Sequence, residues 1–329
     1  MNRLLSICIP TYNRQERLMD TLTSLLPRIS KHDIPVYISD NASTDGTYNI
    51  VKRFQEQYPH IFYSCNKTNL GPDRNFERVL KMSESRFAWL FSDDDQLTDG
   101  AVERVLDIVD SGDYALVVTN GGLMDKKKAA VTGRVTGLAT RVYHDRNALL
   151  AELGWHMTWM SSLIFGRDMR QYGNFPRYYD TNLMQVLVVF DFLAEREAEV
   201  YWGSEPIVYG PSEGLPAWFD RTIDIWVVNW FNRINALPST DTQEAKRACI
   251  MAHGMQTGLF ATPVWFVLLR AHGHYNLRVY RKYKKYFPYV TRLPLIVLWL
   301  SATWPRFGAR LMFAVYKRYR RYLGTPLTT

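Results

Sequence analysis

Three consecutive carboxylates, Asp93, Asp94 and Asp95, stand directly after an apolar segment of the chain. Like charges this close repel one another, and a hard divalent cation with oxygen ligands would relieve the repulsion. Mg²⁺ in proteins commonly joins one or two carboxylates to the phosphates of a substrate. The alternative is a solvated acidic turn that begins a helix. The acids therefore predict either a metal and phosphate site or a solvated turn.

The residues around the acids predict a strand followed by a helix. Residues 87–91 are bulky and apolar, as is typical of a short buried strand. Apolar residues at helical spacing follow from Ala101, and Thr98 or Asp99 is expected to be the N-cap. Because ligands of open α/β sheets bind where the strands end, the acids fall where a ligand is expected.

The same pattern of an apolar strand and a polar cluster recurs along the first 120 residues. Further strands are expected at residues 4–9, 36–39, 61–65 and 115–119, and helical spacing separates them. This alternation predicts an α/β fold with a mostly parallel sheet. Neither G-x-G-x-x-G nor G-x-x-x-x-G-K-[ST] occurs, which excludes a dinucleotide fingerprint and a P-loop.

Composition limits the class of protein. The 329 residues are 47% hydrophobic, enough for a sizeable core. The three cysteines are far apart and form no C-x-x-C pair, which excludes a disulfide or zinc framework and suits a reducing compartment. The apolar run from Leu4 to Ile9 stops at Pro10, so no signal peptide is expected.

Charge is divided unevenly along the chain. Residues 245–329 contain fifteen Lys and Arg and no acid, whereas residues 1–244 have a net charge of −7. Residues 306–323 place Leu311 and Val315 with tyrosines on one side of a helix, and Arg310 and Lys317 on the other. This pattern predicts peripheral binding to an anionic membrane surface; the alternative is a helix packed on the rest of the protein with a solvated face. The apolar run at residues 293–304 is too short to span a bilayer.

Four motifs carry a resemblance to a known family. They are I-P-T-Y-N-R at residues 9–14, S-D-N-A-S-T-D-G-T at 39–47, N-L-G-P-D-R-N-F at 69–76 and F-S-D-D-D at 91–95. Their order and spacing resemble family 2 glycosyltransferases of the GT-A fold. With S-S-L-I-F-G-R at residues 161–167, they are similar to bacterial O-antigen glycosyltransferases of the abequosyltransferase type.

The resemblance implies a GT-A fold with a helical, basic C-terminal extension. It implies inverting transfer of a sugar from a nucleotide-diphosphate sugar to a hydroxyl of a lipid-linked saccharide, with Mg²⁺ or Mn²⁺ as cofactor. The protein would act peripherally at the cytoplasmic face of the bacterial inner membrane and bind no nucleic acid. One alternative keeps the fold with polyprenyl phosphate as acceptor, and another is a nucleic-acid-binding protein that uses the basic region.

The resemblance also assigns residues to the donor and the metal. Asp40 would accept a hydrogen bond from the nucleobase, or with Asp45 only shape a turn; Arg74 would reach a phosphate or the base, or be a solvated helix residue. The implied donor-binding residues are Pro10, Thr11, Asn13, Arg14, Asp40, Asn69, Arg74, Asp93 and Asp94. Asp95 is expected to ligate the metal. Because Ser92 stands where the family often has an acid, its partner is either Asp93 or Asp94.

The expected general base is Asp180, which precedes an apolar helix at residues 183–193. The alternative for Asp180 is a helix N-cap, and related sequences often have histidine here. Asp168 and Asp191 are rival bases, and His156 is expected to be a core histidine.

Three regions are expected. Residues 1–120 would bind the nucleotide sugar, residues 121–220 would form the acceptor half, and residues 221–329 would be the membrane-associating region. Within the acceptor half, residues 121–150 are expected to be a flexible connection, residues 155–167 a strand, and residues 211–220 a loop.

Overall fold

The computed structural model describes residues 1–125, 130–210, 215, 216 and 218–323. Within these ranges there are ten strands: Leu5–Thr11 (β1), Val36–Asp40 (β2), Ile61–Cys65 (β3), Phe87–Leu90 (β4), Gln96–Leu97 (β5), Leu116–Asp125 (β6), Ala130–Gly133 (β7), Arg141–Tyr143 (β8), Leu163–Gly166 (β9) and Val200–Gly210 (β10). The α-helices of the first 200 residues are Gln15–Ile29 (α1), Thr47–Gln57 (α2), Pro72–Met82 (α3), Ala101–Ser111 (α4), Arg146–Leu153 (α5), Arg167–Tyr172 (α6) and Met184–Glu195 (α7). Those that follow are Trp230–Asn235 (α8), Gln243–Gln256 (α9), Val264–His272 (α10), Leu277–Tyr283 (α11), Phe287–Val290 (α12), Leu295–Thr303 (α13) and Arg306–Leu323 (α14).

The strands form one mixed sheet in the order β3-β2-β1-β4-β9-β6-β10-β5, with β7 beside β6 and β8 beside β10. The pairs β1/β2, β2/β3, β1/β4 and β6/β10 are parallel. Strand β9 runs antiparallel to both β4 and β6. The predicted α/β class with a mostly parallel sheet is therefore confirmed, and the antiparallel β9 joins its two halves.

The core explains why the first strands were recognisable in the sequence. Every residue of β1 and of β4 is buried, as expected for central strands with both faces covered. Helix α1 packs Leu18, Leu22 and Leu25 into this core at helical spacing, and α4 does the same with its valines.

The register of the strands aligns their polar ends. Thr11 at the end of β1 pairs with Asp40 at the end of β2, and Asp40 pairs with Cys65 at the end of β3. On the other side of β1, Cys8 pairs with Leu90 of β4. The residues that follow β1, β2 and β4 therefore leave the sheet at one edge, which is the edge where open α/β sheets bind ligands.

The connection between β4 and α4 differs from the prediction. Thr98 or Asp99 as N-cap is wrong: α4 begins at Ala101 after Gly100, which has φ +69° and provides no side chain to cap it. The strand β5, missed in the sequence, lies between the acids and this helix and pairs with β10. Two residues are too few to show a period, so only their distant partner strand identifies them.

The segment expected to be a flexible connection is structured where it is described. Residues 121–125 continue β6, and β7, β8 and α5 follow before residue 154. Lys126, Lys127 and Lys128 lie outside the described residues. Only residues 163–166 of the expected strand at 155–167 are a strand, and two short turns of 3₁₀ helix precede it. Of the expected loop at 211–220, only residues 215, 216 and 218–220 are described.

The chain divides into two compact units. The first contains the described parts of residues 1–124, 131–146 and 156–211, and the second contains the described parts of residues 125–130, 147–155 and 212–329. The second unit is helical, and Trp226 stacks on His253 of α9 with ring centroids 4.3 Å apart. The buried Lys246 of the same helix donates to the carbonyl oxygen of Leu237 at 2.7 Å. None of the described helices combines the length and the apolar character needed to cross a membrane.

Candidate active site

The acids after β4 lie against Arg14, which directly precedes α1. Its Nη1 donates to Asp93 Oδ1 at 2.6 Å, and its Nη2 donates to Asp94. Thr11 Oγ1 donates to the other oxygen of Asp93 at 2.8 Å, and Ser92 Oγ donates to Asp94 Oδ1 at 2.5 Å. The structure therefore brings together four residues that the sequence assigned to the donor: Thr11, Arg14, Asp93 and Asp94.

Asp95 has different partners. Its Oδ2 accepts a hydrogen bond of 2.6 Å from the indole nitrogen of Trp159. A Cβ atom added to Gly210 would lie 3.3 Å from Asp95 Oδ1 and 3.3 Å from the Trp159 ring. The absence of a side chain at Gly210 thus leaves space beside the carboxylate. Asp95 is fixed by a neutral donor, whereas its two neighbours are paired with a cation.

Burial raises the free energy needed to ionise the carboxyl groups of this cluster. Asp93 and Asp95 are 3% and 4% exposed. Burial, with repulsion from Asp94, raises the pKa of Asp95 to about 7. Burial also raises the pKa of Asp93 to about 6, although the attraction of Arg14 opposes it. Three carboxylates and one guanidinium carry two excess negative charges when all are ionised.

That excess charge and the oxygen donors fit a divalent cation. Among the residues that the structure describes, no three His, Cys, Asp or Glu side chains are arranged to hold a metal ion by themselves. Mg²⁺ does not require such a cage, because it is commonly held by one or two carboxylates, water and substrate phosphates. Among the described residues, Asp93 and Asp94 form salt bridges with Arg14 and Asp95 forms none, and Gly210 places no side chain beside its Oδ1, so Asp95 is the carboxylate best placed to serve as ligand.

Asp95→Asn is expected to make the stability of the metal-free fold less sensitive to pH. The pKa of Asp95 is about 7 in the folded protein and about 4 in the unfolded chain, so the folded state binds the proton more tightly. This contributes stability that is fully present when the pH is below about 4 and is lost as the pH rises through 7. The asparagine amide is neutral at every pH, and its oxygen can still accept from Trp159. In chelator, the free energy of unfolding of Asp95→Asn should rise relative to wild type between pH 4.5 and pH 8, by on the order of a few kcal/mol. Calorimetric or denaturant unfolding across this range measures the difference, and a constant difference would contradict the electrostatic assignment.

Asn13 and Asp40 connect the loops after β1 and β2. Asn13 Oδ1 accepts from the backbone nitrogen of Thr44 at 2.7 Å, and Ser43 Oγ accepts from the backbone nitrogen of Asn13 at 2.8 Å. Asp40 is buried and accepts from the backbone nitrogen of Ser43 at 2.8 Å and from the hydroxyl of Tyr63 at 2.6 Å. Asp40 therefore shapes the turn, the alternative recognised in the sequence, and each of its oxygens has one acceptor position in use.

Asn69 belongs to a second set of loop contacts. Its Oδ1 accepts from Asn41 Nδ2 at 2.8 Å and from the backbone nitrogen of Gly71 at 2.9 Å. Asn41 Oδ1 in turn accepts from the backbone nitrogen of Leu70 at 2.9 Å. These bonds join the loop after β2 to the loop after β3. Pro10 lies inside β1 and pairs with Ser39 of β2, so its position in the sheet sets where this edge begins.

Arg74 and Asp180 form a separate pair. Arg74 Nη1 lies 2.7 Å from Asp180 Oδ1, and the guanidinium carbon lies 4.4 Å from the centre of the Tyr179 ring. Asp180 is largely exposed and has φ +62°, a left-handed conformation that is uncommon outside glycine. Helix α7 begins only at Met184, with Leu183 in the N-cap position, so the alternative of Asp180 as its N-cap is wrong. Arg74 holds one oxygen of the carboxylate, and the side chain stays accessible to a ligand because it is 73% exposed.

The rival bases are placed differently. Asp191 is buried in α7 and its Oδ1 lies 2.7 Å from Arg177 Nη1, so it serves as a structural ion pair. Asp168 lies exposed in the first turn of α6. His156 is fully buried, and its Nε2 lies 3.0 Å from the carbonyl oxygen of Thr119. Burial, with repulsion from Arg134, lowers the pKa of His156 to about 3, as expected for a neutral core histidine.

Two positioning residues were missed in the sequence. Trp159 holds Asp95 from 64 positions away, and no local spacing relates the two. Asp73, 2% exposed, accepts at Oδ2 from the backbone nitrogen of Asn182 at 2.9 Å and so fixes the loop that carries Asp180. Asp73 stands inside the N-L-G-P-D-R-N-F motif next to Arg74, which was the available signal.

The part of the chain that contains the acids matches a known protein family. Residues 6–171 match the sequence model of the family described as Glycosyl transferase family 2. This region contains β1 to β9 and the acids after β4.

Curated relatives are similar over the same part of the chain. The chain is 40% identical over 110 residues to abequosyltransferase RfbV of Salmonella typhimurium, covering 33% of each protein. It is 32% identical over 117 residues to the GalNAc(5)-diNAcBac-PP-undecaprenol beta-1,3-glucosyltransferase of Campylobacter jejuni, covering 35% of this chain and 37% of that protein. The match thus spans about a third of these curated relatives.

Two solved structures share the fold over nearly the whole chain. Staphylococcus aureus TarS 1-349 in complex with UDP-GlcNAc superposes with a TM-score of 0.60 at 15% identity, covering 98% of this chain and 92% of that one. The mannosyltransferase PcManGT of Pyrobaculum calidifontis, in complex with GDP-Man and Mn²⁺, has a TM-score of 0.54 at 14% identity, covering 97% and 88%. The expected GT-A architecture with a helical C-terminal region is confirmed.

Proposed function

Because the chain belongs to glycosyltransferase family 2, we propose that it transfers a sugar from a nucleotide-diphosphate sugar to a hydroxyl of a lipid-linked saccharide, with inversion at the anomeric carbon. The observation that carries the proposal is the acid cluster at the edge where β1, β2 and β4 end, in which Asp93 and Asp94 pair with Arg14 and the buried Asp95 lies beside them. The names of two relatives, an abequosyltransferase and a glucosyltransferase that acts on a saccharide linked to undecaprenyl diphosphate, support the substrate class.

The donor is proposed to bind at this edge. The loops after β1 and β2, joined through Asn13 and Asp40, would receive the nucleoside, with Asn69 supporting the loop after β3. Arg14 would turn from its carboxylates toward the diphosphate as a charge-matched partner, since guanidinium forms bidentate bonds to phosphate. Asp95 would hold Mg²⁺ or Mn²⁺ together with the diphosphate oxygens. When bound, the cation would neutralise charge on the leaving diphosphate.

The acceptor hydroxyl is proposed to lose its proton to Asp180. The carboxylate takes the proton as the hydroxyl oxygen forms a bond to the anomeric carbon and the bond to the diphosphate breaks. Arg74, which lies over the Tyr179 ring, holds Asp180, and Asp73 holds the loop, so the base is oriented before the acceptor binds. Orientation of this kind lowers the entropic part of the barrier.

The place of action is proposed to be the cytoplasmic face of the bacterial inner membrane, with the protein bound peripherally. The support is the charge distribution, because the last 85 residues contain no acid and attract anionic lipid. A lipid-linked acceptor would be presented at that surface.

A transfer assay tests the proposal. Purified protein is incubated with a panel of nucleotide sugars, Mn²⁺ and a lipid extract of bacterial membranes, and mass spectrometry follows the glycolipids and the released nucleoside diphosphate. One donor should yield a glycolipid heavier by one sugar residue, with an equal amount of nucleoside diphosphate. If the protein is folded and none of the donors in the panel supports transfer, the proposal is contradicted.

A further inference from the structure

The two helices α13 and α14 present apolar side chains that nothing in the described part of the chain covers. Nine large hydrophobic residues between positions 295 and 315 are exposed by 38% to 79%: Leu295, Ile296, Trp299, Leu300, Trp304, Phe307, Leu311, Met312 and Val315. Soluble monomers rarely expose so many large apolar residues within so short a segment.

The exposed residues follow the helical repeat. In α13, Ile296, Trp299 and Leu300 lie on one face, while Leu298 and Ala302 on the opposite face are buried. In α14, Phe307, Leu311 and Val315 recur at intervals of four residues, so they form a single stripe. Each helix therefore buries a narrow face of mostly smaller side chains and turns its larger apolar residues outward.

The contacts of α14 explain this reversed orientation. Ala309 is fully buried against Val267 and Ala271 of α10. On the same side, Arg310 Nε donates to the carbonyl oxygen of Ala271 at 3.2 Å and Arg306 Nη2 donates to that of His272 at 3.3 Å. These arginines satisfy carbonyl groups at the C-terminal end of α10, a favourable place for a cation. The side of the helix expected to be basic and solvated is partly used for packing.

Exposed basic residues lie close to the apolar face in the chain and on the neighbouring helix α11. Helix α11 packs beside α13, and the exposed Arg281, Lys282, Lys284 and Lys285 lie on α11 and the turn after it. Arg292 and Arg318, also exposed, stand before α13 and within α14. No acid follows Glu244 in the sequence, and one acid from earlier in the chain, Asp224, accepts from the Tyr283 hydroxyl of α11 at 2.9 Å. The named exposed residues are six cations, so the net charge beside the face is positive. An apolar face with a basic border is complementary to a bilayer that carries anionic headgroups.

We infer that the outward faces of α13 and α14 insert into the headgroup and upper acyl region of an anionic phospholipid bilayer. Trp299 and Trp304 suit the headgroup level, where indole rings are favoured. The residues of α13 belong to this surface. The sequence assigned the wider region 221–329 to the membrane but indicated an amphipathic helix only at residues 306–323. Insertion would bring the protein to a lipid-linked acceptor, and this role of the surface rests on the proposed function. The side chains of Lys317 and Tyr319 and all side chains from residue 320 onward lie outside the described part of the chain.

The test uses the full chain and vesicles of phosphatidylcholine, with or without phosphatidylglycerol, in sedimentation assays at low and high salt. Two double variants remove insertion: Ile296→Ser with Leu300→Ser on α13, and Phe307→Ser with Leu311→Ser on α14. Each should lower the partition coefficient on anionic vesicles at least about tenfold, because each removes two residues from the apolar phase. Tyr172→Ser is the matched control, since Tyr172 is 53% exposed and lies in α6. The variants Lys284→Gln and Lys285→Gln test the basic border, and each should lower the partition coefficient on anionic vesicles about fivefold at low salt.

The outcomes separate the possible occupants of this face. A salt-resistant bound fraction that the α13 and α14 variants lose, and Tyr172→Ser keeps, supports insertion. Binding that high salt abolishes completely, or that the serine variants retain, overturns it. A wild-type dimer in light scattering that becomes a monomer in the serine variants would assign the face to a second copy instead. Donor binding by calorimetry is measured on the same samples, so loss of the proposed function and loss of membrane binding are distinguished.

Discussion

Asp95→Asn is expected to abolish most sugar transfer while the protein remains folded. Asparagine has the shape of the carboxylate and can still accept the hydrogen bond from Trp159, but it lacks the negative charge that a divalent cation needs. Loss of a cation that neutralises the departing diphosphate should cost several kcal/mol in the transition state. The measurement is kcat/KM for transfer at saturating Mn²⁺, with circular dichroism to confirm the fold.

Asp99→Asn is the matched control for this change. Asp99 lies four residues further along the same loop, its side chain is 99% exposed, and it pairs with Arg28 at 3.2 Å. Its replacement should leave transfer unchanged. The same pair of variants tests the pH argument, since only Asp95→Asn should change how stability depends on pH. Near-normal turnover by Asp95→Asn, or full activity of the wild type in excess chelator, would refute the metal assignment.

Asp180→Asn is expected to slow transfer by roughly 10²–10⁴, the usual contribution of a general base. The amide can still meet Arg74 but cannot take a proton from the acceptor. Because the side chain is largely exposed and caps no helix, the variant should unfold at the wild-type temperature. The effect should fall on kcat, while donor affinity stays within about twofold of wild type.

Asp168→Asn provides the comparison in the same half of the sheet, since Asp168 is an exposed rival and is expected to have no effect. A slow Asp168→Asn enzyme beside a normal Asp180→Asn enzyme would move the base to Asp168. Full activity of both variants would favour an acceptor that is already an anion, such as a polyprenyl phosphate, because such an acceptor needs no strong base.

The first four strands could be predicted because each is a short run rich in apolar residues followed by a polar cluster, which is visible locally, and all but β3 are fully buried. The acids could be assigned for the same reason, since they follow a strand at the edge where ligands bind. Arg14 was assigned by the resemblance of the I-P-T-Y-N-R motif to the family. Trp159 could not, because its bond to Asp95 depends on the antiparallel strand β9 returning between β4 and β6. Long-range pairing of this kind leaves no period in the sequence.

The C-terminal helices show a different limit. The spacing of residues 306–323 correctly indicated an amphipathic helix, but spacing does not say which face packs inward. Packing of α14 on α10 uses the small side chain of Ala309 and places Phe307 outside at 79% exposure. The choice depends on how closely two helices can approach, which the structure shows and the helical period does not.

The most direct test of the donor site is a thermal-shift panel of nucleoside diphosphates and their sugars, with and without Mn²⁺, on wild type and Asp95→Asn. A ligand that binds the folded state raises the melting temperature by mass action. We expect one nucleotide to stabilise the wild type, to do so more strongly with Mn²⁺, and to lose the Mn²⁺-dependent part in Asp95→Asn. A folded wild-type protein that no nucleotide in the panel stabilises, in either condition, would contradict a nucleotide-sugar site at the acids after β4.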